Sequence, residues 1–479
     1  MNRRQFVKSG TFFGAALALP RVPAVPAQPG TPTRKSIINM EQDAPDLINF
    51  ERAVRIMRNL PEDNPRSWPA QARIHKLFCP HSNWWFLPWH RAFVHYFEQI
   101  CRDVLRSPDF ALPYWDWTRY PYIPSVFLNQ DSALWQPNRH IDGSVAISFG
   151  AVGAPELEKI LKLSECGDLF GSPTADDDQR HTPGSGNLES TPHTAVHQTV
   201  GGDLSGNAFS ARDPLFWVHH CNVDRIWESW AELHGRAVPL DNLWAGHQLH
   251  EFYDPIQDKP VTVHAWQTNN SAQFGARYDS LETFFGHVPG TILPALQVFW
   301  GPGEQRKIPE GIQVIDELSL LSEPVKVAGN RAVFSIAATD KVKNLLDTLN
   351  PSRDGTHRLP SLHLLLDGVP VPKSPTTSIR VFLNVPGASV NTPFDDPGYI
   401  TTVSFFGMRD PLGGDHREGN HTVNLSFNII ANVARLKAAR RKITKTFIVT
   451  LLTVDLLSPK DTNVPEPAQP AKLRVIALG

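Results

Sequence analysis

Six histidines form the pattern with the most chemical potential in this chain of 479 residues. They fall into two sets of three: His75, His81 and His90, followed by His193, His197 and His220. Three imidazoles can hold one transition-metal ion, so the two sets together suit a pair of ions. Imidazole binds copper, zinc, iron and nickel, and the ligand type alone therefore does not select the metal.

Spacing supports the second set more than the first. His193 and His197 are four residues apart, so on a helix both side chains lie on one face and reach the same ion. His219 and His220 point about 100 degrees apart on a helix, so only one of them is expected to bind directly. The first set lacks such spacing. On spacing alone, ordinary hydrogen-bonded histidines remain the alternative for both sets.

The residues around the histidines carry a family resemblance. Residues 81–91, HSNWWFLPWHR, resemble the first copper motif of the tyrosinase and catechol oxidase (polyphenol oxidase) family, and residues 213–227, DPLFWVHHCNVDRIW, resemble the second. Residues 112–117, LPYWDW, and 188–197, LESTPHTAVH, complete the pattern. The resemblance implies a type 3 dicopper protein. Its implied ligands are His75, His81 and His90 for one copper, and His193, His197 and His220, not His219, for the other.

The resemblance also implies roles for three neighbours. Cys79 stands where fungal members carry a cysteine joined to the second histidine, here His81, by a thioether; a free buried thiol is the alternative. Glu189 matches a glutamate that orients a water near the coppers and helps to deprotonate a phenol; an acid that stabilises its helix is the other interpretation. Thr194 stands where relatives often carry asparagine. Threonine presents no amide, which favours diphenol oxidation over strong monophenol hydroxylation.

Three further residues are expected around the site. Glu98 and Asp224 occupy positions consistent with carboxylates that accept hydrogen bonds from ligand imidazoles. Pairing with Arg91 or Arg225 is an equally good interpretation of the two acids. Phe209, or a smaller neighbour, is the candidate for the bulky residue that gates the first copper in plant relatives.

The activity implied by the resemblance is that of an oxidoreductase of the polyphenol oxidase type. Two copper ions would use dioxygen as co-substrate to oxidise small phenols, converting catechols to o-quinones, with weak hydroxylation of monophenols. Two other functions fit a histidine-rich site: haemocyanin-like reversible dioxygen binding, and a zinc or structural metal protein. A formal net charge of -2 predicts no nucleic-acid partner.

Helices are expected to position these residues. Apolar residues recur at helical spacing over 46–60 and 89–105, and further helices are predicted over 71–78, 192–200 and 214–234. Proline, glycine, serine and aspartate clusters over 112–189 predict long loops. The predicted catalytic domain, residues 28–300, is therefore mainly α, with a helical core around the dicopper site.

After residue 320 the pattern changes to alternating apolar and polar residues, most clearly over 422–429. Such runs, separated by turn residues, predict an all-β sandwich over 320–479, joined by a Pro- and Gly-rich linker at 301–319. Residues 382–386, FLNVP, resemble the C-terminal domain of plant-type polyphenol oxidases. That likeness implies a domain that shields the copper site and keeps the enzyme latent until the linker is cleaved.

The N-terminus resembles a twin-arginine export signal over residues 1–27. An arginine pair at positions 3 and 4 precedes an apolar run over 11–19, which is much shorter than the roughly 20 residues that span a bilayer. We therefore expect a bacterial member, exported to the periplasm or secreted, without a membrane anchor. Four cysteines are too few for a disulfide framework. Cys101, Cys166 and Cys221 are expected to be buried thiols, with a pair between Cys101 and Cys166 left open.

Overall fold

The structure is a computed structural model that describes residues 31–81, 84–161, 186–234, 246–269, 271–282, 314–321, 326–348, 361–372, 374, 377–393, 396–403, 405, 422–441, 446–455 and 466–478. The predicted export signal, Cys166 and most of the predicted linker lie outside these ranges. Within them, no helix combines the length and the apolar character needed to cross a bilayer.

Helices build the first part of the chain. They are α1 (Pro45–Asn59), α2 (Trp68–Phe78), α3 (Phe86–Leu105), α4 (Phe149–Val152), α5 (Ala154–Leu161), a π-helical turn (Glu189–His193), α6 (Thr194–Val200) and α7 (Leu215–His234). The strands here are β1 (Thr33–Arg34), β2 (Gln248–Asp254), β3 (Lys259–His264) and β4 (Arg277–Tyr278). β1 pairs with β4 in parallel, and β2 pairs with β3 antiparallel. Each helix predicted from apolar spacing is present, with small shifts at its ends.

Local sequence explains where the central helices begin and how they pack. Ser67 caps α2 by accepting a hydrogen bond from the Ala70 amide at 3.2 Å, which satisfies one of the free donors at the helix start. α3 and α7 pack against each other through aromatic side chains, and Phe97 stacks on Trp217 with ring centroids 3.5 Å apart. These two helices therefore form the apolar centre on which the site is built.

The C-terminal part contains two antiparallel sheets. Its strands are β5 (Val314–Leu321), β6 (Lys326–Ala328), β7 (Arg331–Ala337), β8 (Ser361–Pro370), β9 (Thr377–Leu383), β10 (Tyr399–Val403), β11 (Thr422–Asn428), β12 (Thr446–Asp455) and β13 (Lys472–Leu478). One sheet has the order β10-β9-β12-β7-β6 and the other the order β11-β8-β13-β5. Leucine, valine and isoleucine side chains from both sheets share one buried core, as expected of a sandwich.

The prediction of an all-β domain needs correction. Two helices, α8 (Asp340–Thr348) and α9 (Ile430–Ala438), accompany the sheets. Val342 and Leu346 lie four residues apart in α8, and both are buried in the sandwich core. This spacing is typical of a helix, but the alternating residues on either side of it favoured strands. β5 also begins at Val314, inside the stretch expected to be linker.

Candidate metal centre

The three histidines of the first set meet although their spacing does not predict it. His75 lies on α2, His81 follows that helix, and His90 lies on α3. Their ring centroids are 5.4 to 5.7 Å apart, and all three side chains are buried. Three imidazoles, one from α2, one from α3 and one from the connection between them, thus meet at one point.

The second set converges in the same way and faces the first. His193 ends the π-helical turn, His197 lies on α6 and His220 on α7, with ring centroids 4.5 to 5.5 Å apart. The His90 ring stacks on the His220 ring at 4.3 Å, and the His81 and His193 centroids are 5.9 Å apart. The structure therefore brings all six predicted ligands into one buried cluster.

Backbone carbonyls hold four of the six imidazoles by their Nδ1 atoms. The pairs are His75 with Asn207 (3.1 Å), His90 with Phe86 (2.8 Å), His193 with Glu189 (3.2 Å) and His197 with Leu204 (2.7 Å). A carbonyl only accepts, so each Nδ1 carries the proton and each Nε2 keeps a lone pair for a metal. His90 Nε2 is buried and has no hydrogen-bond partner among the residues described.

Burial keeps four of the six imidazoles neutral. It lowers the pKa of His90 and of His197 to about 3. For His193 and His220, burial and then the neighbouring imidazoles lower the pKa well below its usual value. Neutral imidazole is the form that binds a metal ion, so these four side chains are in their ligating state at pH 7. Two groups of three nitrogen donors fit two copper ions, one on each set, and the donor chemistry alone would also accept zinc.

His219 is a fourth buried imidazole beside the second set. One ring nitrogen from each of His193, His197, His219 and His220 lies within 4.8 Å of the others. His219 Nδ1 accepts a hydrogen bond from the Trp117 indole Nε1 at 3.1 Å. The indole can only donate, so a neutral His219 carries its own proton on Nε2 and offers no lone pair there. This contact supports His220 rather than His219 as the ligand.

Cys79 lies beside the histidine to which the resemblance links it. Its Sγ is 3.5 Å from His81 Nδ1, and its thiol donates to the Asn207 side-chain oxygen at 3.5 Å. The side chain is fully buried. The thiol is therefore next to the His81 ring and is held there by a neighbouring amide.

Glu189 and Thr194 share the π-helical turn that carries His193. Pro192 lies inside this turn and has no N–H to donate, which is one reason why the backbone widens here. Thr194 donates its hydroxyl to the Glu189 carbonyl at 2.7 Å, the carbonyl that also accepts from His193. Thr194 therefore acts on the backbone of the turn, and the Glu189 side chain is only 2% exposed.

Glu98 and Asp224 bind arginines in the structure. Glu98 accepts from Arg34 at 2.9 Å and from the Leu112 amide at 2.9 Å, and Asp224 is paired with Arg91. The sequence left two interpretations of these acids, acceptance of hydrogen bonds from imidazoles and pairing with arginines. The contacts observed are ion pairs with arginines. Acceptors for the ligand imidazoles come from the backbone instead, because helix and loop carbonyls already lie next to the rings.

Phe209 lies at the surface rather than between the histidines. It is 38% exposed, and the Arg212 guanidinium lies 4.6 Å from its ring centroid. Two other aromatic rings line the cluster. Phe86 lies 4.7 Å from both His90 and His193, and Phe216 lies 4.3 Å from His220.

Sequence reasoning missed Phe86 and Phe216, although a signal was present. Each stands four residues before a ligand, His90 and His220, and so lies on the same helical face. Asn207, which contacts both His75 and Cys79, lies in a connection with no periodicity that would single it out.

Comparison with known proteins agrees with this geometry. The family description "Common central domain of tyrosinase" matches residues 53–148 and 151–233. A chloroplastic polyphenol oxidase of Spinacia oleracea is 31% identical over 293 residues, 50% of this chain and 46% of that protein. A tyrosinase of Hahella sp. is 25% identical over 352 residues, 62% of this chain and 73% of that protein. The chain spans about half the length of the first curated relatives it matches.

Solved structures extend the likeness of fold to nearly the whole chain. A recombinant latent aurone synthase (polyphenol oxidase) covers 94% of this chain and 90% of its own, with a TM-score of 0.64 and 20% identity. A latent apple tyrosinase covers 95% and 97%, with a TM-score of 0.62 and 18% identity. At this identity the likeness concerns the fold. Residues 53–148 and 151–233 therefore form a central domain of the tyrosinase type, and the six clustered histidines all lie within it.

Proposed function

We propose that this protein is a copper-dependent oxidase that converts o-diphenols to o-quinones with dioxygen. The observation that carries the proposal is the buried cluster of six imidazoles, four of them held through Nδ1 by backbone carbonyls. Two bound copper ions would supply the redox capacity to move two electrons from each diphenol to dioxygen. A catechol oxidase of Solanum tuberosum, 29% identical over 280 residues, is consistent with this substrate class.

The surrounding residues would bind the diphenol and handle its protons. Phe86 and Phe216 present apolar rings beside the histidines, which excludes water and offers faces on which an aromatic substrate can pack. Glu189 is the acid that lies on the histidine-bearing turn, and we assign it the phenolic proton, which it takes up directly or through a water.

Diphenol oxidation is favoured over strong monophenol hydroxylation. Thr194 presents no amide, and its hydroxyl is already donated to the Glu189 carbonyl. It therefore has no donor left with which to orient a water together with the Glu189 carboxylate. The test compares initial rates on a paired monophenol and diphenol with copper-loaded protein, and rapid, lag-free conversion of the monophenol would reject the preference.

A thioether between Cys79 and His81 is part of the proposal. The 3.5 Å distance from Sγ to Nδ1 supports it, since a ring carbon is bonded to that nitrogen. The bond would form with loss of two hydrogens, with dioxygen as the two-electron oxidant and bound copper supplying the redox chemistry, and it would fix the imidazole orientation. Peptide mass spectrometry of copper-loaded protein tests it: a cross-linked peptide lighter by two hydrogens is expected, and a free, alkylatable Cys79 would reject it.

The C-terminal sandwich is proposed to keep the enzyme latent. Thr191, on the histidine-bearing turn, donates to the Thr402 carbonyl at 3.0 Å, and Thr401 donates to the Asn187 side chain at 2.9 Å. Strand β10 thus contacts the turn that carries Glu189 and His193. Cleavage between residues 301 and 313 is expected to raise catechol oxidation; equal activity before and after cleavage would reject latency.

Two alternative functions are separated by metal content and turnover. A haemocyanin-like carrier would bind dioxygen reversibly and form quinone slowly, whereas the oxidase turns over catechol under air. A zinc protein would retain zinc after copper supplementation, whereas the oxidase is expected to hold two coppers per chain. We further propose export by the twin-arginine route to the periplasm or the medium. Removal of the first 27 residues in exported protein, read by N-terminal sequencing, tests that proposal.

A further inference from the structure

The buried pair of Trp117 and His219 has no role in the function proposed above. Both side chains are 0% exposed, and the Trp117 indole donates to His219 Nδ1 at 3.1 Å. Because the indole has no lone pair to offer, the contact exists only when His219 Nδ1 is unprotonated. The neutral ring then carries its proton on Nε2, so Trp117 sets the tautomer of His219.

The backbone before Trp117 is attached to helix α7, which carries His219. The Trp115 amide donates to the Val218 carbonyl at 3.0 Å, and Val218 is the residue before His219 on α7. Asp116 pairs with Arg225 of the same helix at 3.3 Å. Residues 115 and 116 are thus fixed to α7, and the backbone that carries the indole is held beside His219.

The other nitrogen of His219 is a donor without an acceptor. Nε2 is buried and makes no hydrogen bond to any residue in the described part of the chain. The ring lies 5.3 Å from His193 and 4.9 Å from His197, at the edge of the second histidine set. A buried donor left unsatisfied destabilises the protein, so its retention points to a ligand that satisfies it when bound.

We propose that His219 donates its Nε2–H to an oxygen of an aromatic oxyanion, a phenolate or an arene carboxylate, bound beside the second histidine set. Trp117 is the positioning residue that holds His219 in the donor tautomer and out of the metal's ligand set. The inference rests on the proposed dicopper site and adds a substrate-orienting contact to it. It uses no step of the oxidation itself, and it is therefore tested by binding.

The experiment measures benzoate affinity of the copper(II)-loaded full chain by isothermal titration calorimetry, with copper content determined on each sample. His219→Leu removes the donor, His219→Gln replaces it with an amide donor, and Trp117→Phe removes the tautomer lock. The matched control is Trp115→Phe, since Trp115 is equally buried and donates its indole N–H to the Tyr120 carbonyl at 3.0 Å. Wild type and all variants are expected to hold two coppers.

We expect a loss of benzoate affinity of about tenfold or more in His219→Leu, because a hydrogen bond to a charged group is removed. Trp117→Phe should lose less, His219→Gln should recover part of the affinity, and Trp115→Phe should bind as wild type does. Wild-type affinity in His219→Leu with two coppers would overturn the proposal. So would a loss of one copper in that variant, because His219 would then be a ligand.

The design keeps this inference separate from the proposed activity. Benzoate binding requires no turnover, so a protein that fails to oxidise catechol but shows the expected affinities refutes the oxidase and supports the His219 contact. If His219→Leu does not fold, the other two variants decide. Equal affinities in wild type and Trp117→Phe, together with no difference in His219→Gln, would overturn the proposal.

Discussion

At the scale of single residues, four of the six predicted ligands are oriented by contacts that the family motif does not reveal. The motif identifies the histidines, whereas the tautomer of four of them is fixed by backbone carbonyls and that of His219 by an indole. Carboxylates were expected in this role because acids often orient metal-bound imidazoles. Glu98 and Asp224 instead neutralise arginines that are themselves buried.

Replacing one ligand should remove the metal from its set. His197→Gln is expected to lower copper content from two to about one per chain and to abolish catechol oxidation, since a primary amide is a much weaker ligand than imidazole. The control is His250→Gln, at an exposed histidine on β2 that contacts Thr262. Copper analysis and oxygen uptake measure both variants, and full copper content in His197→Gln would contradict the ligand assignment.

His95 should make the fold sensitive to acid. Burial lowers its pKa from 6.5 to about 4, and its ring packs on Phe274 at 4.8 Å. The unfolded chain binds this proton below pH 6.5, so the stability linked to the neutral ring is complete above that pH and is lost progressively as the pH falls towards 4. At pH 5 the loss is about 2 kcal/mol.

His95→Phe is therefore expected to lose less stability than wild type between pH 7 and pH 5. Urea unfolding of wild type and variant at both pH values measures the difference. The exposed His250→Gln variant serves again as the control. An identical pH dependence in His95→Phe and wild type would contradict the role of His95.

At the scale of elements, the π-helical turn connects the two parts of the molecule. It carries Glu189 and His193 on the site side and presents the Thr191 hydroxyl to strand β10. Glu156 on α5 is also fully buried. Burial lowers the pKa of Arg380 and of Arg435 in the C-terminal part, and the nearby Glu156 carboxylate partly offsets that lowering. The interface is thus polar and charged, and it lies next to the residues that would do the chemistry.

Loosening this interface should activate the full-length enzyme. Thr191→Val removes the hydrogen bond to the Thr402 carbonyl, which weakens the contact by about 1 kcal/mol. Catechol oxidation by the uncleaved chain should rise several-fold. The matched control is Thr450→Val, because Thr450 is also fully buried and donates to the Val385 carbonyl within the sandwich. Equal activities of the two variants would argue against an interface role.

Much of this element-level picture was predictable and part was not. Apolar spacing predicts the helices that carry the predicted ligands, because each helix buries one face and apolar residues on that face recur every three to four positions. Alternation over 422–429 predicts strand β11, Thr422–Asn428, to within one residue. The helices α4 and α5, in the stretch where loops were predicted, were missed, as were the π-helical turn, α8 and α9. Each is short, and its signal is overridden by turn-forming residues, by Pro192 or by flanking strands. Convergence of His75, His81 and His90 depends on tertiary packing, which spacing does not encode.

At the scale of the whole molecule, a buried ionic network joins the ends of the helical part. Arg34 on strand β1 contacts Glu98 of α3 at 2.9 Å, Asp224 of α7 at 3.3 Å and the Tyr278 hydroxyl of β4 at 2.9 Å. Strand β1 is only two residues long, and this side chain adds buried polar contacts to its pairing with β4. The network therefore fastens the start of the described chain to the two central helices.

Removing the arginine should destabilise the helical part strongly. Arg34→Met leaves two buried carboxylates short of a partner and is expected to cost about 3 to 5 kcal/mol in the free energy of unfolding. The control is Arg55→Met, which breaks a surface pair with Glu51 and should cost less than about 1 kcal/mol. Urea unfolding of the copper-loaded chains measures both, and equal costs would contradict the anchoring role.

The carbonyl contacts to the imidazoles have a consequence for how this site tolerates change. No side chain encodes them, so substitutions at Asn207 and Leu204 that preserve the backbone path leave these bonds to His75 and His197 intact. An insertion or a deletion between α6 and α7 shifts that path and breaks both bonds together. The connection should therefore accept many exchanges of residue type but hardly any change of length, and a library of single-residue deletions there would lose copper where a substitution library keeps it.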